Sequence, residues 1–229
     1  MQRTTATLPV DRRYVIAAAA LVLPTLALSL LAGAHETFPL DTAIMARVQA
    51  LGSGYEPVAE LFNEYNGYVA VIAVVLGVAL MLARHRPDAG LLFIVVAALR
   101  PLLNELKALV DRPRPSGDFP ILDAVNDSSF PSGHVMTAAM FLGLWFILAA
   151  ELLPRSLVLP ARVLIAALIV LTAVSRMWAG VHWPSDTYGA LLWAALALAV
   201  VMALRPTTRA IWGRAVDAWH GLSARLLSD

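Results

Sequence analysis

There is no cysteine among the 229 residues, so no disulfide, thiolate nucleophile or thiolate metal ligand can be built. Lysine is nearly as scarce: Lys107 stands alone, and the other sixteen basic residues are arginines. Charged residues make up 14% of the chain, against about 25% in an ordinary soluble domain. A formal net charge of +1, with no basic patch interleaved with aromatics, offers nothing for nucleic acid to bind. No internal repeat or low-complexity linker divides the chain, which reads as a single domain over 1–229. What is present is apolar. The chain is 59% hydrophobic with a mean hydropathy of +0.72, a composition suited to a membrane bundle.

Six stretches come close to the length of about 20 apolar residues that crosses a bilayer. They run roughly 14–33, 67–84, 89–110, 134–153, 161–178 and 186–204. The expected fold class is therefore all-α, a six-transmembrane helix bundle. The run "LAGAHE" after the first stretch imitates a signal cleavage site, but the apolar stretch is longer than a signal core, and an uncleaved helix is expected. Arginines set the orientation. Arg3, Arg12 and Arg13, then Arg84 and Arg86, then Arg155 and Arg162, then Arg205, Arg209, Arg214 and Arg225 share one side if the chain crosses six times. The first loop opposite carries Glu36, Asp41, Glu56, Glu60 and Glu64 against Arg47. Both termini are thus expected in the cytoplasm. Two short amphipathic stretches read as interfacial helices: one with Leu40, Ile44, Val48 and Leu51, one with Trp212, Val216, Trp219 and Leu226.

Polar residues gather in three clusters, each at a helix end on the side opposite the termini. In "KALVDRPRP" two prolines alternate with two arginines, so the chain leaves its helix and extends after Lys107, carrying Arg114. In "FPSGHVMTAAM" Pro131 and Ser132 are helix-start residues. The free amides of that first turn, near Ser132, Gly133 and His134, attract anions, and Gly133 permits close approach. In "SRMWAGVHWPSD" Arg176 and His182 are six residues apart, about 240° on a continuous helix, so a break near Gly180 is needed for them to converge. Pro184 suits the first turn of the next helix, and His182 and Asp186, four apart, stack if that turn is helical. Singly, these clusters have plain structural readings: snorkelling basic residues, a helix cap, a histidine–carboxylate pair. Together they supply three cations, a helix N-terminus, two histidines and a carboxylate. That set suits phosphoryl transfer through a phosphohistidine. Lys107, Arg114 and Arg176 would neutralise the phosphate oxygens, and amides at Ser132 and Gly133 would complete the cradle. His182 would attack phosphorus, Asp186 would orient it, and His134 would serve as acid and then base. Neither a metal nor another cofactor is required, since fixed cations can do that work.

Lys107, Arg114 and Pro115, then Pro131-Ser132-Gly133-His134, then Ser175, Arg176, His182 and Asp186 resemble the tripartite signature of the type 2 phosphatidic acid phosphatase superfamily, which also contains the vanadium haloperoxidases. All three elements match, over roughly residues 100–190. The resemblance implies the same residue roles and a bacterial inner-membrane, multi-pass enzyme. Its active site would be extracytoplasmic, acting on a lipid phosphate that enters from the bilayer. Undecaprenyl diphosphate is the first substrate expected. Phosphatidylglycerophosphate, phosphatidic acid or a lipid phosphotransfer come next. The non-enzymatic alternative is a membrane protein that binds or moves phospholipid. Several residues stay outside this scheme. Arg100 and Glu105 are expected to form part of a buried ion-pair arrangement at Pro101, near Asn104. Asp111, Asp118, Asp123 and Asp127 are expected in solvent, and His35, His85 and His220 at surfaces.

Overall fold

The computed structural model describes residues 9–35, 37–64, 66–83, 87–116, 119, 121 and 128–226. Every long element among them is a helix: α1 Arg12–Ala34, α2 Asp41–Gln49, α3 Glu56–Glu64, α4 Asn66–Ala83, α5 Pro87–Val110, α6 Gly133–Leu152, α7 Arg155–Trp178 and α8 Pro184–Leu226. The helix starts follow local chemistry. Asp11 caps α1 by accepting the Arg13 amide at 3.1 Å. Pro87 opens α5, with Asp88 in the first turn where the helix dipole favours a carboxylate. All-helical architecture is as expected. Asp118, Asp123, Asp127 and His85 lie outside the described residues, as does the side chain of His220.

Among the described residues, five helices are long and apolar enough to cross a membrane: Arg12–Ala34, Asp88–Val110, Gly133–Leu152, Arg155–Trp178 and Pro184–Trp219. The expected stretch at 67–84 forms α4, Asn66–Ala83, and is not one of these five; the apolar run among its described side chains is Ala70–Ala79. Burial separates the five. The apolar window of α6 is 61% buried, that of α1 17% and that of α7 11%. So α6 forms the centre, while α1 and α7 turn most of their apolar surface outward. Met136, Met140, Leu144 and Leu148 of α6 pack with Phe93 and Val96 of α5 and with Ala194, Leu198 and Met202 of α8. α8 lies between α6 and α1.

Two features depart from expectation. α8 does not end near residue 204 to restart as a surface helix; it runs unbroken through Pro206 to Leu226. Proline removes one helical hydrogen bond, but tertiary bonds hold the turns around it. Arg205 grips Glu151 through two bonds of 2.6 and 2.8 Å, Arg209 bonds Asp88, and Thr207 donates to the Pro9 carbonyl at 2.6 Å. The second feature is α3, which no sequence signal singled out. It packs on α7, as does α2. Of the expected stripe, Ile44 in α2 and Leu40 and Leu51 beyond its two ends are exposed, while Val48 is half-buried; Asp41 and Met45 are buried.

Candidate active site

α7 stops at Trp178 because Gly180 adopts φ 75°, a left-handed conformation that glycine takes without strain. The Val181 amide reaches back to the Arg176 carbonyl at 3.4 Å and the Gly180 amide to the Met177 carbonyl at 3.0 Å. This is a Schellman closure. It reverses the chain within a few residues and returns His182 toward Arg176, the convergence that the sequence required. α8 then begins at Pro184. Asp186, in its first turn, accepts the Trp183 amide at 2.8 Å and so caps the helix from within.

α6 begins at Gly133 after a buried Ser132. A Cβ placed on Gly133 would meet only the Lys107 Cε, at 3.9 Å. Hydrogen at this position therefore leaves open the space beside Lys107. The Ser132 amide is already committed, donating to the Asp186 carbonyl at 3.2 Å. It is not available to an anion, which corrects that part of the expected cradle; the Gly133 amide opens the first turn of α6 beside it. The Ser132 hydroxyl is buried without a hydrogen-bond partner among the described residues. The preceding Phe130 is fully buried against α8, where a Cβ on Gly189 would come within 2.2 Å of its ring. That contact fixes the height at which α6 starts.

Beyond α5 the chain is pinned by its own carbonyls. Lys107 Nζ donates to the Ser128 carbonyl at 3.2 Å, and the Ser128 hydroxyl donates to the Lys107 carbonyl at 2.7 Å. Arg114 donates to the Val181 carbonyl at 2.5 Å, which ties the first cluster to the third. Arg112 goes elsewhere. Its guanidinium is fully buried and bonds Asp186 Oδ1 at 2.6 Å, Asp41 Oδ2 at 2.8 Å and the Ser185 hydroxyl at 2.7 Å. Asp41 in turn accepts the Ser185 amide at 2.9 Å and the Ser185 hydroxyl at 2.7 Å. A buried carboxylate–guanidinium–carboxylate chain thus runs from α2 to the start of α8. Arg112 lies inside "DRPRP" and Asp41 in an acidic loop, and neither carries a local sequence signal for this pairing.

One cavity of about 580 Å³ is lined by Lys107, Arg114, Gly133, His134, Arg176 and His182, with Arg100, Glu105 and Asp111 also on its wall. Asp186 is not on that wall; it stands behind His182. His182 Nδ1 lies 3.7 Å from Asp186 Oδ2, in contact but beyond hydrogen-bonding distance, and has no hydrogen bond among the described residues. The reason is that Asp186 is held by Arg112 and the Trp183 amide. Burial pushes the His182 pKa down to about 4. The neighbouring Asp186 opposes that shift, and Arg114 and Arg176 reinforce it. His182 is therefore neutral at pH 7, the state in which an imidazole nitrogen can attack.

α3 also reaches the site. Asn63 Oδ1 accepts from Arg176 at 2.5 Å, and the Asn63 carbonyl accepts from His134 Nε2 at 3.3 Å. Both of its oxygens thus engage groups expected to handle phosphate, and no pattern in the sequence pointed to it. Arg100 differs from expectation as well. Its Nε bonds Thr137 Oγ1 at 3.0 Å on α6, and among the described residues it pairs with no carboxylate, Glu105 included. Asp111 is exposed as expected but lies on the cavity wall, with φ 46° where the chain leaves α5.

The profile of the PAP2 superfamily matches residues 89–210. Phosphatidylglycerophosphatase B of Bacillus subtilis (strain 168) is 33% identical over 127 residues, which are 54% of this chain and 61% of that protein's length. The crystal structure of a transmembrane PAP2-type phosphatidylglycerolphosphate phosphatase from Bacillus subtilis superposes with a TM-score of 0.52. It has 27% identity over 83% of this chain and 90% of that chain. The Aquifex aeolicus LpxE structure covers 76% of this chain and 92% of its own, with 22% identity and a TM-score of 0.33, a likeness too loose to bear on the fold.

Proposed function

We propose that this chain, which belongs to the PAP2 superfamily, is a membrane lipid phosphatase that removes the terminal phosphate of a phosphatidylglycerophosphate-type lipid. The observation that carries this reading is the meeting of Lys107, Arg114, Arg176, His134 and a neutral His182 around one cavity. The cations hold the non-bridging oxygens. His182 attacks phosphorus through Nε2, since Nδ1 faces Asp186, and the bond from phosphorus to the lipid oxygen breaks. His134 gives that oxygen its proton. His134 then takes a proton from water, whose oxygen attacks phosphorus and breaks the P–N bond, releasing phosphate and restoring His182. Asp186 stabilises the imidazolium that forms when His182 is phosphorylated. Undecaprenyl diphosphate was the first expectation. The likeness to a phosphatidylglycerophosphatase supports the glycerophospholipid instead.

On this reading α4 supplies a sixth crossing. Arg12, Arg13 and Arg155 lie at helix starts away from the cavity, and Arg205 and Arg209 lie about 30 Å or more along α8 from its start beside the cavity, which favours a cytoplasmic position for that side and an extracytoplasmic site. The test is phosphate release by purified protein in detergent with excess chelator. Phosphatidylglycerophosphate, phosphatidic acid and undecaprenyl diphosphate are compared at matched detergent ratios. The expected result is the highest kcat/KM on phosphatidylglycerophosphate and no release by His182→Ala. Equal rates for wild type and His182→Ala, or a clear preference for the prenyl diphosphate, would contradict the proposal.

A further inference from the structure

The cavity contains one cation that the chemistry above does not use. Arg100 is seven residues before Lys107 on α5. Seven residues are nearly two full turns, so the two side chains leave the same face of the helix about 10 Å apart along its axis. Both line the cavity that holds His134 and His182. Lys107 is at its outer end, beside the helix terminus, and Arg100 lies deeper, within the spanning length of α5.

The bonding of Arg100 is one-sided. The buried Thr137 hydroxyl gives its proton to the Gly133 carbonyl at 2.8 Å, which leaves its oxygen to accept from Arg100 Nε at 3.0 Å. Thr137 therefore fixes the guanidinium by its inner nitrogen. No other bond to Arg100 is made among the described residues, so the outer fork meets no carboxylate. The other deep arginines differ: Arg112 is paired with Asp41 and Asp186, and Arg205 with Glu151 and Asp88. An uncompensated charge at membrane depth is expensive to keep and marks a function. A guanidinium fork binds two oxygens of a phosphate at once.

We propose that Arg100 binds a second anionic group of the substrate, a phosphodiester joined through a glycerol to the phosphate that reacts. The proposal rests on the substrate class assigned above and deepens it. In a prenyl diphosphate a single oxygen separates the two phosphates, and both fall within reach of Lys107, Arg114 and Arg176. In phosphatidic acid the reacting phosphate is the only one. A phosphatidylglycerophosphate has its diester farther along, toward the acyl chains. With its terminal phosphate at His182, that diester comes to the depth of Arg100.

The test uses full-length protein in detergent and measures kcat/KM on phosphatidylglycerophosphate and phosphatidic acid with matched acyl chains. Arg100→Gln is expected to lower the ratio of the first to the second at least tenfold, mainly through KM. Arg100→Lys keeps the charge but loses the fork, and is expected to lower the ratio severalfold. Thr137→Val removes the bond that fixes the guanidinium and should move the ratio the same way. If Arg100→Gln does not fold, the lysine variant decides. An unchanged ratio, or equal losses on both lipids, overturns the role of Arg100 while leaving the substrate class intact. Wild-type protein that cleaves phosphatidic acid but not phosphatidylglycerophosphate refutes the substrate class itself, and this proposal with it.

Discussion

Replacing Arg112 by methionine keeps an unbranched stem and removes the guanidinium end, and with it the charge. In the native protein that guanidinium is shared by Asp186 and Asp41 at 2.6 and 2.8 Å, with no exposed surface on its side chain. The variant leaves two buried carboxylates facing an apolar side chain. Breaking a buried ion pair by removing one partner costs about 3–5 kcal/mol. For a chain of this size, about 2–4 °C per kcal/mol places the loss in Tm at about 6–20 °C. Activity should fall about 10–100-fold, by analogy with the loss when the hydrogen-bonding partners that orient metal ligands are removed. A merely structural role would not produce the third effect. Freed from Arg112, the full charge of Asp186 acts on His182, so the His182 pKa rises and the acid limb of kcat/KM moves to higher pH. Adding Asp41→Asn neutralises one stranded carboxylate and should recover part of the stability but not the pH shift. The assays are thermal unfolding in detergent and the pH profile of phosphate release. An Arg112→Met protein with a Tm within about 2 °C of wild type and an unmoved acid limb would refute the reasoning.

Three more outcomes are expected. The native pKa of His182 is depressed to about 4 from 6.5, so the unfolded chain binds the extra proton first. The stability that comes from a neutral His182 is complete above 6.5 and is lost as pH falls toward 4. The acid limb of kcat/KM in the unliganded enzyme should fall in that interval, and a limb above 6.5 would contradict the burial of His182. Gly189→Ala places a methyl 2.2 Å from the Phe130 ring and forces the turn before α6 to shift. It should lower both Tm and kcat, whereas Gly133→Ala, with only Lys107 Cε nearby at 3.9 Å, should raise KM and leave Tm in place. Asn63→Ala removes the amide oxygen held by Arg176. That oxygen competes with phosphate for the Arg176 guanidinium, so its loss should tighten binding of inorganic phosphate as a product inhibitor; weaker binding would refute the competition.

Local rules made much of the site legible. Pro131 and Ser132 announced the start of α6 at Gly133, and Pro184 that of α8. The incompatibility of Arg176 and His182 on one continuous helix called for the break that Gly180 supplies. What escaped were contacts between residues far apart in the chain. Asp41 and Arg112 are 71 positions apart, and Asn63 and Arg176 113. Neither Asp41 nor Asn63 lies in a pattern that chemistry alone would flag. Arg112 was hidden for a different reason: beside Arg114 in an extended segment, nothing local tells which arginine turns inward. The end of the sixth stretch was misplaced because Pro206 is a helix breaker by local rule. Its turn is held by Arg205, Thr207 and Arg209 through bonds to Glu151, Pro9 and Asp88. The commitment of the Ser132 amide to the Asp186 carbonyl follows from packing α6 against α8, which no single helix start reveals.

The account turns on His182 bearing the phosphoryl group during turnover. Wild-type protein mixed with phosphatidylglycerophosphate and quenched in base, where a phosphohistidine survives, can be digested and mapped by mass spectrometry. One phosphoryl group on the peptide containing His182, absent from His182→Ala and formed more slowly in His134→Ala, is the predicted result. Steady phosphate release from wild-type protein with no phosphoryl group on His182 at any quench time, or with the label on another residue, would contradict it.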